Sequence, residues 1–468
     1  MSFRSKYIGD RAFYRMLFAV LIPIVVQNAI TNLVSLLDNM MVGQVGTEAM
    51  SGVSIANQLF FIFNITLFGA ISGAGIFGAQ FAGKGDQEGL RQTLRYKFLV
   101  GLLLLTAALG IFLSLHDQLI SLYLTEDGTG DLELTLRSGR EYLKVMLWGL
   151  PPFLITQCYA STLRETGETL LPMKGGILAV GINVLLNYLL IFGKLGLPAL
   201  GVTGAALATV ISRFGEMAFV LVGTHRKKGA YPFVQGLYTS FRLPWTLVRR
   251  ITIKGAPLLL NEFLWSLGMS VLLQCYSTRG LNVVAALNIS STVNNLFLVV
   301  ALALGSAISI LIGQMLGAGE KQRARDSAAK LIAFSVFLCV GVGAVMAVVS
   351  PFIPRIYNTT EEVRMLATRF LWICSAVMPI TGFLNSCYFT LRAGGNTIIT
   401  FLFDSVFLWC VGIPAAYLTS RYTAMPVLEI FLVVQAADLL KCFVGYAMVK
   451  KGIWIRNIVS SETQGELE

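Results

Sequence analysis

Apolar residues in this chain are gathered into long runs, and charged residues, Gly and Pro separate one run from the next. A helix needs about 20 apolar residues to cross the hydrocarbon core of a bilayer, and these runs reach that length. The pattern predicts an all-α integral membrane protein with twelve transmembrane helices. The runs lie roughly at 16–42, 53–81, 97–117, 139–163, 170–193, 200–223, 251–278, 285–315, 330–352, 367–391, 398–418 and 425–449.

The second half of the chain repeats the first. Four pairs of positions share one separation of 234 residues: Pro23 and Pro257, Gly46 and Gly280, Gln80 and Gln314, Gly83 and Gly317. A second set shares a separation of 228: Pro151, Leu163, Arg164, Gly167 and Thr169 match Pro379, Leu391, Arg392, Gly395 and Thr397. Six helices per repeat is an even number, so both repeats should cross the membrane in the same sense. We therefore expect two parallel six-helix lobes related by a pseudo-twofold axis along the membrane normal.

The lobes are predicted at 1–224 and 255–449, with a cytoplasmic linker at 225–254 and a cytoplasmic tail at 450–468. The linker is the one long polar and aromatic connection, and Gly and Pro interrupt it. Its WTLVRRI portion has two interpretations at this point. It is either an amphipathic helix on the anionic inner leaflet or part of a plain solvated linker.

Composition supports a membrane protein. The 468 residues are 55% hydrophobic and 13% charged, whereas a soluble domain carries about 25% charged residues. The net charge of +11 raises the question of nucleic acid, but Lys and Arg alternate from loop to loop and form no single patch. We therefore expect no nucleic-acid partner, and a lipid bilayer as the solvent.

The distribution of charge predicts the topology. Basic residues gather at the N-terminus, in the linker and in the loop after the second run, which holds Lys84, Arg91, Arg95 and Lys97. The opposite side has few and carries the acidic stretch around Glu126 and Asp131. The positive-inside rule then places both termini and the linker in the cytoplasm of a multi-pass protein of the plasma, or inner, membrane.

Asp38 lies more than twenty residues into the first run. At 1.5 Å per residue it should sit in the outer half of the membrane. A carboxylate there is costly unless it faces a cavity or a partner, so a cation or proton site is the leading hypothesis. The alternative is a carboxylate hydrated near the interface. The matching position of the second lobe is Leu272, so the two lobes have divided their roles.

Amides and hydroxyls of two later runs can join Asp38. Asn183 and Asn187 are four residues apart and share one face of the fifth helix. Thr203 and Thr209 reach a similar depth from the outer end of the sixth helix. Such oxygen ligands suit either a small alkali cation, Na⁺ at Asp38, Asn183, Asn187 and Thr209, or a protonatable Asp38. The alternative is that the amides only join neighbouring helices.

The second lobe has its own acids within runs, Glu262 and Asp404, with aromatic neighbours that include Trp265 and Trp409. Acids beside aromatic faces attract lipophilic cations through charge and cation–π attraction. We predict substrate binding by these four residues, against the alternative of helix-to-helix hydrogen bonds. Asp438, near the end of its run, is interpreted as interfacial.

Several residues predict structure more than chemistry. Pro23 lies within the first run, where it removes a helical hydrogen bond and permits a hinge on the helix that bears Asp38. Gly75 and Gly78 permit close helix packing. The seven cysteines have no paired spacing, so free thiols are expected, and nothing resembles a metal-ligand set or a phosphate loop.

Three segments carry a resemblance to a known family. They are LLDNMMVGQVGTEAMSGVSIANQ, LRETGETLLPMKGG with its partner LRAGGNT, and NVLLNYLLIFGKLGLPALGVTGAALATVIS. Together they make the chain similar to MATE (multidrug and toxic compound extrusion) transporters over essentially its full length. The resemblance implies two parallel six-helix lobes that rock between inward- and outward-facing states, and antiport of substrate against protons or sodium.

The resemblance also implies roles for particular residues. Asp38 matches the first-helix aspartate of the family's N-lobe cation site, Asn183 its fifth-helix asparagine, and Thr209 its sixth-helix threonine. Asn187 stands where many relatives have a second aspartate, which weakens the case for sodium, so protons are favoured as the coupling ion. Glu262 is on the helix where some relatives carry a glutamate, but its spacing from Pro257 is about a turn short.

The sequence therefore predicts an exporter of amphipathic, often cationic, compounds that needs no cofactor, is not an enzyme and works as a monomer. A lipid-linked oligosaccharide flippase of the same superfamily is the nearest alternative, and it would need cavity arginines for a pyrophosphate. The acids of the predicted cavity argue against that anionic cargo. A channel or receptor is a third alternative, disfavoured by the two lobes with different acids.

Overall fold

The computed structural model describes residues 7–121, 132–196, 198–240, 242–357 and 359–460, and all regular structure within these ranges is helical. Six helices precede the linker: α1 (Arg11–Gly43), α2 (Thr47–Lys84), α3 (Gln87–Ser121), α4 (Leu132–Met146, Leu147–Gly149 and Leu150–Glu165), α5 (Leu170–Phe192) and α6 (Gly201–Arg226). Six follow it: α7 (Trp245–Ser277), α8 (Leu281–Gly317), α9 (Lys321–Val349), α10 (Glu361–Ala393), α11 (Thr397–Tyr422) and α12 (Val427–Lys451).

Each of the twelve predicted runs corresponds to one helix of this layout. Within the described ranges, ten of the helices are long and apolar enough to cross a membrane by length and composition. The other two are α4, which a 3₁₀ turn at Leu147–Gly149 interrupts, and α12, which carries Glu429, Asp438 and Lys441 along its length. The acidic stretch around Glu126 and Asp131 and the tail residues 461–468 lie outside the described residues.

Helix ends follow local chemistry. The Oδ1 atom of Asp10 accepts from the backbone N–H of Phe13 at 2.8 Å before α1, and Thr360 caps α10 by accepting from Val363. Such caps satisfy backbone donors that a helix start leaves unpaired. The turns after α2 and α8 use Gly85 (φ +77°) and Gly319 (φ +79°), which are equivalent positions of the two repeats and need a left-handed backbone.

The chain forms two compact units. The C unit contains Arg250–Glu468 together with Met1–Val25 and Ala79–Asp86, and the N unit contains Val26–Gly78 and Gln87–Arg249. The units thus differ from the predicted lobes, because the start of α1 and the end of α2 belong with the second half of the chain.

Packing explains why the start of α1 belongs to the C unit. One buried face of this segment joins the main apolar core of the C unit, where it packs with residues of α8, α9 and α10. That face consists of Phe13, Leu17, Val20, Leu21 and Ile24. Full burial of an aliphatic or aromatic side chain contributes about 1.5–3 kcal/mol, so five such residues hold the segment firmly.

The end of α2 is held by backbone contacts at the repeated glycines. Gly83 packs against the backbone of Gln314, and Gly317 packs against the backbone of Gln80, so a β-carbon at either glycine would collide with a main chain. The Nε2 atom of Gln80 also donates to the carbonyl of Ala393 at 3.0 Å. The repeated Gln and Gly pairs of the sequence therefore mark one close helix crossing.

The linker is partly helical and partly folded inward. Its WTLVRRI portion is the first part of α7, and the preceding residues pack inward, with Phe233 only 1% exposed. Burial, and then the hydrogen bond to Glu168, raise the pKa of Tyr231 to about 12. The protonated Tyr231 hydroxyl donates to that carboxylate at 3.0 Å. The apolar side chains of this segment bury themselves within the N unit, although the sequence around them is polar.

Two of the predicted loop cations are buried instead. Arg95 donates to the carbonyls of Leu237 at 3.0 Å and Gly236 at 2.7 Å, which fastens the linker to α3. Lys97 is fully buried and its Nζ atom lies 2.6 Å from the Glu165 carboxylate. Their assignment to a loop was wrong, since α3 begins ten residues earlier than the predicted run and carries them into the N unit.

Candidate functional site

Four of the predicted site residues form one hydrogen-bonded row in the N unit. The Nδ2 atom of Asn187 donates to Asp38 Oδ1 at 2.5 Å and to Asn183 Oδ1 at 3.1 Å. The Nδ2 atom of Asn183 donates in turn to the Thr209 hydroxyl at 3.2 Å, and that hydroxyl donates to the carbonyl of Ala205 at 3.1 Å. Helices α1, α5 and α6 thus bring together the residues that the sequence grouped.

This polar row contains one buried acceptor that has no partner among the described residues. Both N–H bonds of the Asn187 amide point to neighbours, whereas its own oxygen, Oδ1, is buried with no hydrogen-bond partner among the described residues. An unpaired buried acceptor costs about 1–3 kcal/mol. The row therefore has room for one more donor or cation beside Asp38.

The charge of Asp38 has no compensating partner. Within the described residues, no Lys, Arg or His nitrogen lies within ion-pair distance of its carboxylate, and its hydrogen-bond partner is a neutral amide. Tyr142 lies within electrostatic range of Asp38, and its hydroxyl donates to Asn57 Oδ1 at 3.3 Å. The site thus combines one carboxylate with neutral donors and acceptors.

The C unit contains a site of the opposite kind. The Nζ atom of Lys441 on α12 lies 2.7 Å from Asp404 Oδ1 on α11, with the two side chains 12% and 23% exposed. The ammonium group also lies over the rings of Phe403 and Phe407, at 5.1 and 5.9 Å from their centroids. Asp404 therefore already has a cationic partner from the protein itself.

Asn261 fixes the other side of Asp404. Its Nδ2 atom donates to Asp404 Oδ2 at 3.2 Å and to the Tyr388 hydroxyl at 3.3 Å, while its Oδ1 atom accepts from the Ser405 hydroxyl at 2.8 Å. Asp404 lies in a π-helical turn, Leu402–Val406, and such turns often occur at functional sites. The carboxylate is thus held by three helices.

A cavity of about 360 Å³ opens beside this ion pair. Trp265 and Asp404, two of the residues predicted for substrate binding, line it together with Lys441 and with Asp438, the residue that the sequence analysis interpreted as interfacial. Apolar side chains of α7, α8 and α12 complete the wall. The volume falls in the range of small-molecule sites, about 300–1,000 Å³.

The other two residues predicted for substrate binding lie away from the lining of this cavity. Glu262 is half-buried and within electrostatic range of Arg392 and Asp404, and no hydrogen bond joins it to another described residue. Trp409 uses its indole N–H to donate to the carbonyl of Leu264 at 3.0 Å, which joins α11 to α7.

Four functional candidates escaped the sequence analysis. Lys441 and Asp438 are three residues apart in an apolar run, and this charge spacing was the signal that could have revealed them. Lys97 gave no such signal, because it precedes a run and resembles a loop cation. Asn261 gave no signal either, because only its hydrogen bonds to Asp404, Tyr388 and Ser405 distinguish it from other amides in membrane helices.

Pro23 lies inside α1, as predicted, and the helix is continuous from Arg11 to Gly43. The division between the two units falls between Val25 and Val26, two residues after this proline. Asp38 is on the N-unit side of the division. The residue predicted as a hinge therefore stands where the chain passes from one unit to the other.

Two matched halves of six helices, with an uncompensated carboxylate in one unit and a polar cavity in the other, are typical of a secondary membrane transporter. The family model described as MatE matches the chain twice, at residues 23–189 and 257–418, so the chain belongs to the MatE family of MATE transporters. The two matches begin at Pro23 and Pro257, which confirms the repeat of 234 residues. The chain is therefore a multi-pass membrane transporter and not an enzyme.

Similar proteins cover nearly the whole chain. A probable multidrug resistance protein NorM of Thermotoga maritima is 26% identical, over 95% of this chain and 93% of its own. A probable multidrug resistance protein YoeA of Bacillus subtilis is also 26% identical, over 91% and 90%. A crystal structure of MATE in the bent conformation superimposes with a TM-score of 0.83 at 19% identity, covering 95% of each chain. The twelve-helix, two-lobe fold is thereby confirmed.

Proposed function

We propose that this protein exports amphipathic organic cations in exchange for inward protons, through alternating exposure of a substrate site to the two sides of the membrane. The curated relatives are named as multidrug resistance proteins, which supports this class of cargo. The observation that carries the exchange is Asp38, a carboxylate in a predicted membrane span with neutral partners and an unpaired amide oxygen beside it.

The amide row supports a proton as the coupling ion. With Asp38 ionised, Asn187 donates both to the carboxylate and to Asn183, and the donors of Asn183 and Thr209 point away from Asp38. A protonated Asp38 becomes a donor, and the unpaired Oδ1 of Asn187 becomes its acceptor once the amide turns over. Asn183 and Thr209 then reverse in sequence, so that one proton changes the direction of the whole row.

Sodium is the weaker candidate at this site. Asp38 supplies the single carboxylate, while Asn183, Asn187 and Thr209 supply neutral oxygens, and the Oδ1 atom of Asn183 is already bonded to Asn187. A bound Na⁺ would use Asp38 and the free oxygen of Asn187, and would need further ligands from water. A proton needs no further ligand, because rotation of the Asn187 amide alone supplies an acceptor to a protonated Asp38.

The cavity of the C unit is the proposed substrate site. Trp265 offers an aromatic surface, and Asp404 and Asp438 offer negative charge, so an organic cation can replace the ammonium group of Lys441 beside Asp404. Glu262 and Trp409 act from just outside this lining, the first as a further charge and the second by holding α11 against α7.

Pro23 is the proposed hinge in α1, through which a change at Asp38 would affect transport. It removes a backbone hydrogen bond from α1 close to the division between the units. A change of charge at Asp38 can then alter the bend of α1. We further propose a plasma-membrane location, cytoplasmic termini and a functional monomer, since one chain contains both repeats.

The deciding experiment is efflux of ethidium from proteoliposomes, with an imposed proton gradient in one arm and an imposed sodium gradient in the other. We expect the wild type to respond to the proton gradient alone. Asp38→Asn should lose this response, while the matched control Glu133→Gln, which neutralises an exposed acid in the first turn of α4, should keep it.

Other outcomes would redirect the proposal. Export driven by sodium in the wild type would mean that Asn187 and Asp38 complete a metal site. Unaltered export by Asp38→Asn would remove Asp38 from coupling. Absence of ethidium transport under both gradients would favour the flippase, which scrambling of a fluorescent lipid-linked oligosaccharide across the same vesicles would then detect.

A further inference from the structure

A second cavity, of about 1030 Å³, lies at one end of the C unit. It is a groove between the start of α1, the first four turns of α9, the end of α12 and part of α10. In a chain of twelve consecutive spans, the starts of odd-numbered helices and the ends of even-numbered helices lie at the same membrane face. The start of α9 and the end of α12 thus place one end of the groove at the surface of a single leaflet.

Positive charge gathers at that end. Arg325 and Lys330 belong to the first turns of α9, and Lys450 belongs to the last turn of α12. Among the described residues, none of the three has a carboxylate within ion-pair distance. The one described acid of the lining, Asp326, accepts a hydrogen bond from Gln322 at 3.1 Å. The groove therefore has an excess of positive charge.

The present contacts of these cations leave their charge uncompensated. Arg325 donates to the backbone carbonyl of Lys450 at 3.1 Å. The Nζ atom of Lys330 lies 5.8 Å from the centroid of the Phe13 ring, and that of Lys450 lies 5.6 Å from the Tyr446 ring. Carbonyl and ring contacts orient the side chains toward the groove, and an anionic group can still approach all three.

The remainder of the groove is apolar and open. Phe337 is 75% exposed, Tyr446 54% and Ile8 50%, so these side chains are available for contact from outside the protein. From Arg325 to Phe337 the α9 helix rises about 18 Å. One leaflet contributes about half of the 30 Å hydrocarbon thickness, so an acyl chain can lie along this length.

We propose that this groove binds one anionic phospholipid of the surrounding leaflet, with its phosphate beside Lys330, Lys450 and Arg325 and an acyl chain along Phe337. Basic pockets between transmembrane helices bind acidic headgroups in this manner. The ligand contacts the start of α1 as well as α9 and α12, so its binding stabilises the packing of the start of α1 against the rest of the C unit. This inference is independent of the coupling ion and of the exported substrate.

The test uses the full chain, purified in detergent and freed of lipid, titrated with phosphatidylglycerol or with phosphatidylcholine of the same acyl chains. Native mass spectrometry counts bound lipid, and the melting temperature reports stabilisation. We expect the wild type to bind one phosphatidylglycerol in preference to phosphatidylcholine. Each groove lysine contributes about a five-fold change in affinity, so Lys330→Gln with Lys450→Gln should weaken binding about 30-fold.

Two further variants separate this site from general attraction of basic residues to acidic lipid. Lys227→Gln with Lys228→Gln removes the same charge from exposed positions of the linker and should leave binding unchanged. Phe337→Ala keeps all the charges and should weaken binding of the two-chain lipid by a smaller factor, while the melting temperature without lipid stays that of the wild type.

Three results would overturn the proposal. One is equal binding of phosphatidylglycerol and phosphatidylcholine. The second is unchanged phosphatidylglycerol binding by the groove double variant. The third is displacement of the lipid by inorganic phosphate at the same concentration, which would mean that a free anion, and no membrane lipid, suits the cluster.

Discussion

Asp38 in the N unit and Asp404 in the C unit are both carboxylates in predicted membrane spans, yet their partners differ. Asp38 accepts a hydrogen bond from the neutral amide of Asn187 at 2.5 Å. Asp404 lies 2.7 Å from the ammonium group of Lys441 and also accepts from Asn261. Among the described residues, the first carboxylate has no protein cation within ion-pair distance, and the second has one.

In the proposed function, this difference separates two tasks of a transporter. A carboxylate without a cationic partner gains most from an ion that arrives from solution, which is what a coupling site requires. A carboxylate paired with a flexible lysine inside a cavity can exchange that partner for the charged group of a substrate. The repeats of one sequence thus diverged in the position and in the partners of their acids.

The comparison makes its strongest prediction for paired neutral variants. Asp38→Asn should reduce gradient-driven efflux to that of protein-free liposomes, because an amide, unlike a carboxyl group, cannot take up and release a proton. Asp404→Asn should keep the response to the gradient and lose affinity for the cation. The ratio of efflux with and without the gradient, measured for both variants, checks this. Equal loss of the ratio in both would abolish the proposed division of tasks.

The next largest effect concerns stability of the C unit. Lys441→Met leaves Asp404 without its partner, and breaking a buried pair in this way costs about 3 kcal/mol. Lys441→Met combined with Asp404→Leu should recover most of that loss, since an apolar pair carries no unbalanced charge. Unfolding in a denaturing detergent measures both. A double variant no more stable than the single one would show that the pair is not the cause.

A smaller and more specific change is expected from Asn187→Asp. The second carboxylate beside Asp38 adds attraction for Na⁺, and about 1.4 kcal/mol of it would tighten Na⁺ binding at the row about tenfold, so that efflux by this variant, unlike that of the wild type, should respond to sodium. Efflux at constant pH with increasing sodium measures this directly. The isosteric control Asn183→Asp tests whether the position matters. Sodium independence in both variants would count against a cation site at the row.

The smallest effect should come from Trp409→Phe. It removes the indole N–H that donates to Leu264 while it keeps an aromatic ring, and the loss of one such hydrogen bond costs about 1 kcal/mol. Substrate affinity should stay close to that of the wild type, because Trp409 lies outside the cavity lining. Trp265→Phe, in the lining, is the matched variant and should change affinity more than stability. Competition for ethidium binding distinguishes the two.

The sequence by itself determined the number of helices, the repeat and the members of the polar row around Asp38. Runs of apolar residues predict spans because a bilayer excludes charge and unpaired backbone groups, which leaves little freedom of fold. Asn183 and Asn187 share a helix face by their spacing, Asp38 is an acid deep within an apolar run, and Thr209 is a hydroxyl at a similar depth. The structure confirms that these four residues meet.

Only the tertiary structure decided which charges neutralise one another and which segments form one unit. Lys441 reaches Asp404 from a different helix, Lys97 reaches Glu165 across 68 positions, and the start of α1 packs with α8 to α10. Such pairs depend on how helices are packed around one another, and the amphipathic period of a single helix carries no information about its neighbours. The apolar runs of the sequence determine where the helices lie, whereas the partner of a buried charge is determined only when helices distant in the sequence pack together.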